Sequence, residues 1–331
     1  MPDSPGSVLL LSRSDVTRLL TMDECISAVE DAFRQFGEGR TDPPGILGTH
    51  LEGGGFHIKA AALSVRGRRF FAAKTNANFP RNPTRHRLPT IQGIVLLFDA
   101  ENGRPLAIMD STEITALRTA AATAVAAKYL AAPDARTLTV VGCGVQGRMQ
   151  ARALTRVLPV EEIWLFDIDS SRSDALAREL SAELPADVSA VSSFEEATGR
   201  SDVIVTCTTS TVPFLRREHV RNGAFVAAVG ADNEEKRELD VALLAASRVV
   251  PDVLTQAQTI GELHHAFAAG ALSPNEIDAD LGQIIARPGS RPADIVTVFD
   301  STGMALQDVA AACALYDRAR ESGTERCVAL T

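Results

Sequence analysis

This 331-residue chain lacks several features that would settle its class at once, and each absence narrows the options. No stretch is both long and uncharged enough to cross a bilayer; the most apolar one, residues 120–132, is alanine-rich and interrupted by Lys128. The five cysteines, Cys25, Cys143, Cys207, Cys313 and Cys327, are odd in number and show no CxxC spacing. That suggests neither a disulfide framework nor a zinc site, and the cysteines are read as reduced packing residues. The net charge of -9 has no concentrated basic stripe beneath it, which argues against nucleic acid as the main partner. There is no internal repeat and no low-complexity tract. The N-terminus, MPDSPGSVLLLSRSD, carries an acid and only a short apolar run, unlike the basic-then-hydrophobic layout of a signal peptide, so the expected location is cytoplasmic.

What is present is ordinary globular composition, 45% hydrophobic and 23% charged, over a length that calls for two domains. The first third predicts a strand at residues 8–11 and a helix opened by the capping box Thr21-x-x-Glu24 and closed before Gly37. Strand-like runs follow at residues 56–62, 69–78, 93–99 and 105–109, separated by glycine, proline and asparagine as in an antiparallel sheet. Period-two alternation places Lys74 on one face with Phe70 and Ala72, and His57 and Lys59 with Ala61. Between the runs, PRNPTRHRLP is a proline-stiffened loop whose arginines could face an acidic substrate group. A long alanine-rich helix over residues 111–130, opened by Asp110-x-x-Glu113 and ended at Pro133, carries Arg118 near its start.

From Arg136 the pattern changes to apolar strands alternating with amphipathic helices. Strands are expected at residues 138–141, 163–166, 203–206, 224–229, 248–251 and 295–299, which predicts a parallel, doubly wound α/β sheet. A helix from about Thr302 closes the chain. Gly142, Gly144 and Gly147 form a GxGxxG in GCGVQG, a motif that is weak by itself because glycine-rich turns are common. Here a strand, TLTVV, precedes it, a helical run follows, and the next strand, EIWLF, ends in Asp167: the full context of a dinucleotide fingerprint. Bare glycines, with Val145 and Gln146 between them, let a pyrophosphate reach backbone amides at the start of the helix. Asp167 would accept from the adenosine ribose hydroxyls and repel a 2′-phosphate, and Ile168 brings no positive charge, so NAD(H) is favoured over NADP(H), with Arg172 the residue that could reverse this. The competing role for Asp167, capping the next helix, is shared with Asp169.

Ligands bind outside the carboxyl ends of such strands. Thr206 to Ser210, Asp232 and Asp300 occupy that rim. Asp232 is the candidate general base, taking a proton from a substrate ammonium or activating water as hydride leaves the neighbouring carbon, against the alternative of a turn or cap aspartate. Lys74 and Arg118 are candidates for a carboxylate of the substrate, against the alternative of solvated charges. His264 and His265 are adjacent, cannot share one helix face, and are read as surface or cap residues; no metal site is expected.

KTNANFP (residues 74–80), residues 92–131, VVGCGVQGR (140–148), TCTTST (206–211), VGADNEEKRELD (229–240) and TVFDSTGMALQD (297–308) together resemble the ornithine cyclodeaminase/mu-crystallin family over nearly the whole chain. The resemblance implies a Rossmann domain of about residues 120–301 inserted in a smaller α+β substrate-binding and dimerisation domain made of residues 1–119 and 302–331, and a homodimer. By carry-over, Lys74 and Arg118 bind the substrate carboxylate, Lys74 also handles a proton, Asp232 is the acid/base at the amino group, and Thr119, Thr206, Thr208 and Ser210 contact the coenzyme. One departure stands out: where ornithine cyclodeaminases carry an arginine after PP, this chain has Gly45, and Lys59 is the candidate substitute. The expected activity is therefore that of an NAD(H)-dependent amino-acid dehydrogenase of the alanine dehydrogenase kind, or a ketimine reductase acting on a small amino acid or imine. Cyclising deamination of ornithine or lysine, and a mu-crystallin-like protein that only binds, are the alternatives.

Overall fold

A computed structural model describes residues 6–290, 292–323 and 326–330. The first five residues, which carry part of the N-terminal reading, lie outside that set. The chain divides into two compact units, Met1–Arg118 with Met304–Thr331, and Thr119–Gly303.

The first unit is built on a mixed sheet. Its strands are β1 (Ser7–Leu11), β2 (Gly45–Leu51), β3 (Gly54–Val65), β4 (Arg68–Asn78), β5 (Ile91–Asp99) and β6 (Pro105–Asp110), with a closing strand at Cys327–Ala329. β2 to β6 pair as an antiparallel meander, and β1 inserts parallel to β6 with the closing strand at its other edge. Helix α1 (Arg13–Leu19) is opened by Ser12 and α2 (Met22–Gly37) by Thr21, whose hydroxyl accepts from Glu24 N–H while the Glu24 carboxylate accepts from Thr21 N–H. The C-terminal helix, Ala305–Glu321, packs against α2 and across β3, β4 and β5. Alternation does what period two requires: Phe70, Ala72 and Lys74 on β4 are buried on the helix side with Ala61 and Leu63 of β3 and Val95 and Leu97 of β5. The other side stays open and apolar, with Leu47, Leu51, Phe56, Phe71 and Ile94 all exposed.

Helix α3 (Ser111–Leu130) begins where the Asp110 carboxylate accepts from Glu113 N–H at 3.0 Å, and the chain passes from the first unit to the second within it. Residues 120–127 are buried on every side of it, as expected for a helix with no polar stripe. Among the described residues no helix is long and apolar enough to cross a membrane.

The second unit holds β7 (Thr137–Val141), β8 (Glu162–Phe166), β9 (Asp187–Ala190), β10 (Val203–Thr206), β11 (Phe225–Ala228), β12 (Arg248–Pro251) and β13 (Thr297–Asp300). All are parallel, in the order β12-β13-β11-β10-β7-β8-β9. β10, β11 and β13 are buried along their whole length, as strands covered on both faces are. The strand order reverses between β7 and β10, so the loops leaving those two strands border the crevice in which ligands of such sheets lie.

Candidate active site

In the second unit, helix α4 (Val145–Leu154) starts directly after the glycine loop, with Gly144 as its N-cap and no side chain capping its first amides. Gly142 has φ +105°, and a Cβ there would sit 2.8 Å from the Cys207 carbonyl oxygen; one on Gly147 would sit 2.0 Å from the Gly142 carbonyl oxygen. These two glycines are demanded by the packing of strand, loop and helix. A Cβ added at Gly144 would meet nothing within 4 Å, so on that side the backbone is open to a ligand. The residues thus fit a pyrophosphate: uncapped amides, a positive helix end, and no side chain in the way. Asp167, one residue past β8, accepts from Cys143 N–H (2.8 Å) and Asp169 N–H (3.0 Å), bracing that loop. The cap of the following helix is Asp169, which accepts from Ser171 N–H, and Arg172 lies 3.5 Å from Asp169. Ile168 beside them is almost wholly exposed.

Along the rim, the loop after β10 braces itself: Ser210 N–H donates to the Thr208 hydroxyl, and the Ser210 hydroxyl to the Val212 carbonyl. Thr206 and Thr119 are buried, and the Thr119 carbonyl accepts from the Thr123 hydroxyl. Asp232, in the loop after β11, is exposed and accepts from Lys236 Nζ at 2.7 Å. Asp300 is not a rim residue open to ligand. It ends β13, is fully buried, and its two oxygens accept from Glu262 and Leu263 N–H.

In the first unit, Lys74 from β4 and Arg118 from α3 converge on one carboxylate. Asp308, on the C-terminal helix, accepts with the same oxygen from Lys74 Nζ at 2.8 Å and from Arg118 Nε at 3.0 Å. Arg118 Nη1 also donates to Gln307 Oε1 at 2.8 Å, and Thr115 lies 3.4 Å from Lys74. All four of Lys74, Arg118, Gln307 and Asp308 are buried, so the alternative of solvated surface charges does not describe them. Burial pushes the Lys74 ammonium down to about 7, with Arg118 and Lys59 adding to the shift and Asp308 opposing it. Burial alone would raise Asp308, but Lys74 and Arg118 outweigh it and hold the carboxyl below its ordinary value. Asp308 Oδ2 and Gln307 Nε2 are buried without a hydrogen-bond partner. A buried acceptor and a buried donor left open in one cluster are the mark of a place prepared for another polar group.

Lys59 is paired in register with Lys74 on one side and Ile46 on the other, whereas Gly45 faces Ala60. Period two therefore sends a side chain at position 45 to the opposite sheet face, and Lys59 adds its charge beside Lys74.

The histidine pair lies in a helix at Glu262–Ala268, with His264 Nδ1 at the Gly261 carbonyl and His265 Nε2 at the Lys236 carbonyl. Among the described residues no group of three His, Cys, Asp or Glu could hold a metal ion. The cysteines are all unpaired. Cys25, Cys143 and Cys313 are buried packing residues; Cys327 is exposed and Cys207 only half-buried, so those two are not.

Asp308 and Gln307 escaped the reading of the sequence. The signal that could have found them is a polar pair set into the otherwise apolar, alanine-rich run ALQDVAAACALY.

The profile of the ornithine cyclodeaminase/mu-crystallin family matches residues 7–323. An alanine dehydrogenase of Archaeoglobus fulgidus is 36% identical over 313 residues, covering 94% of this chain and 95% of that one. An archaeal alanine dehydrogenase, solved as a dimer with bound NAD, superposes with a TM-score of 0.91 at 34% identity, over 98% of this chain and 100% of its own. The Delta(1)-pyrroline-2-carboxylate reductase of Thermococcus litoralis, solved with NADH and L-proline, gives 0.89 at 32% identity, over 96% and 98%. With a family match across almost its full length and relatives this similar end to end, the chain belongs to the ornithine cyclodeaminase/mu-crystallin family.

Proposed function

We propose that the protein is an NAD(H)-dependent oxidoreductase that interconverts a small L-amino acid and its imino or keto acid, as an alanine dehydrogenase or a cyclic-ketimine reductase does. The observation that carries this reading is the buried cluster of Lys74, Arg118 and Asp308. Two cations on one carboxylate leave a positive charge in an apolar setting, and an α-carboxylate would complete it. Its arrival would also raise Lys74 from about 7, favouring the ammonium that grips it. A protein that merely stored a ligand has no need of a lysine poised so close to neutrality.

Arg118, Lys74 and the neighbouring Lys59 take the substrate carboxylate in this scheme, and Lys74 can exchange a proton at its Nζ. Asp232 acts as the acid/base at the substrate nitrogen, with Lys236 holding its carboxylate until a substrate ammonium competes for it. Gly142, Gly144, Val145, Gln146 and Gly147, with Asp167, Thr119, Thr206, Thr208 and Ser210, hold the coenzyme. NAD(H) supplies, when bound, the acceptor or donor for a hydride at the substrate α-carbon. A preference for it over NADP(H) is supported by the Asp167 carboxylate, the uncharged Ile168 and an Arg172 turned to Asp169.

The unit with the lysine and arginine is accordingly the substrate domain and the parallel-sheet unit the coenzyme domain. The open apolar side of the first sheet supports a homodimer formed by that unit. Five unpaired cysteines fit a reducing, cytoplasmic setting. Replacing Asp232 by Asn tests the scheme: turnover should drop by about 10²- to 10⁴-fold, the usual share of a general acid/base, with NADH affinity near that of the parent. A fully active variant removes Asp232 from its role.

A further inference from the structure

The loops after β10 and β11 are tied to each other through one side chain that has no part in the scheme above. Glu238 is fully buried. Its Oε1 accepts from Thr208 N–H at 2.6 Å and its Oε2 from Gly230 N–H at 2.9 Å. Thr208 belongs to the loop that braces Ser210, and Gly230 precedes Asp232 by two residues. A single carboxylate, with its two oxygens at a fixed separation, thus sets the spacing of both rim loops.

The clamp is itself held. Glu238 and Leu239 N–H donate to the two oxygens of Glu262 at 2.7 and 3.2 Å, and Glu262 and Leu263 N–H donate to those of Asp300 at 3.0 and 2.9 Å. Three buried acids in succession, each accepting from two backbone amides, run from the end of β13 to the Asp232 loop. Besides the Thr206 and Thr208 hydroxyls at Glu238, the groups facing them are acidic or thiol: Glu238 faces Cys207 and Glu262, Glu262 faces Asp300, and Asp300 faces Asp252. Burial pushes Glu238 up, Glu262 well up, and Asp300 to about 7. Burying acids together is costly, and loops can be closed with neutral groups, so the arrangement points to a geometric demand on the loops it holds.

We propose that Glu238 is a positioning residue for the reaction, fixing the Asp232 loop against the Thr206 to Ser210 loop so that Asp232 meets the substrate nitrogen. This rests on the reading of Asp232 as the acid/base. The test is a cycle of Glu238→Gln, Asp232→Asn and the double variant, measured in single turnovers with enzyme in excess over NADH so that slow reaction remains visible. Glutamine keeps one acceptor but sets its amide hydrogens against a backbone N–H, so one arm of the clamp is lost.

Glu238→Gln should slow the hydride step of the NADH-bound enzyme by on the order of 10-fold or more, an effect of the size seen when a supporting group is removed from a site, with any loss of NADH affinity through Thr208 smaller than that. In the Asp232→Asn background the same change should cost almost nothing, because the group it positions is gone. Equal slowing in both backgrounds, or slowing that tracks a lost NADH affinity and a lowered midpoint, overturns the proposal. An active Asp232→Asn enzyme instead overturns the underlying reading. Should Glu238→Gln fail to fold, Glu238→Asp takes its place, since it keeps the carboxylate but shortens its reach by one methylene, so that both loop amides can no longer be held at once. The same pattern is expected of it, and full activity in that variant would equally overturn the proposal.

Discussion

Replacing Asp308 by Asn should move the protonation of Lys74, while also removing the carboxylate to which Arg118 donates. The parent Lys74 sits at about 7 because burial lowers it and Asp308 partly restores it. A hydrogen bond to a charged partner is worth about 1.5 to 3 kcal/mol, and one pKa unit is about 1.36 kcal/mol. Loss of the carboxylate charge therefore lowers Lys74 by roughly one to two units, to about 5 or 6. The remaining charges on Arg118 and Lys59 act in the same direction. At pH 7 the protonated fraction falls from about half to about a tenth or less. Lys74 can shed its proton, but Arg118 cannot and loses the carboxylate it donates to, so the variant should be destabilised by up to about 3 to 5 kcal/mol, and a thermal melt checks that it is folded before the assay. The assay is the pH dependence of kcat/KM, which reports groups of the free enzyme. If the ammonium form grips the substrate carboxylate, the alkaline limb near 7 moves down by one to two units in Asp308→Asn. A limb that stays in place, or moves up, would refute the coupling of these residues.

Other outcomes follow from the same geometry. Gly144→Ala should leave thermal stability within about 0.5 kcal/mol, the range of a change that meets no neighbour, yet weaken NADH binding. Gly147→Ala should impair folding itself, since its methyl would lie 2.0 Å from a carbonyl oxygen. Asp300, at about 7 when folded and about 3.9 when unfolded, binds its proton more tightly in the native state. Its contribution to stability is thus full below pH 4, falls as pH rises from 4 to 7, and is flat beyond, with a span on the order of 4 kcal/mol. Urea unfolding of parent and Asp300→Asn between pH 4.5 and 7.5 should show this slope in the parent and a weaker one in the variant.

Much of this was legible in the chain because local chemistry and tertiary role coincide. The capping pairs at Thr21 and Asp110 open helices where the spacing places them. The strand, loop and helix around Gly142 to Gly147 lie as the fingerprint requires, and alternation put Lys74 on the buried face of β4. β2 escaped notice because its seven residues are all exposed and offer no alternation of apolar with polar. β9 is four residues, DVSA, at a sheet edge, and α1 is a helix of only seven residues. The site residues that were missed share one cause. Asp308 meets Lys74 across 234 positions of sequence, and Glu238 lies in a polar run, NEEKRELD, that looks solvated until two loops fold over it. Helical or loop periodicity reports exposure on average; it has no way of marking one acid among several as buried.

The central claim is best tested by absorbance at the NADH wavelength, with purified protein, NAD or NADP, and a panel of L-alanine, ornithine, lysine and proline, ammonia being assayed in parallel and the reverse reaction run with cyclic imines and NADH. Net formation of NADH from an amino acid, or its consumption by an imine, with NAD(H) preferred, is the predicted result. Ammonia released without net NADH would make the protein a cyclodeaminase, and silence in both directions would make it a binding protein; either would contradict the account.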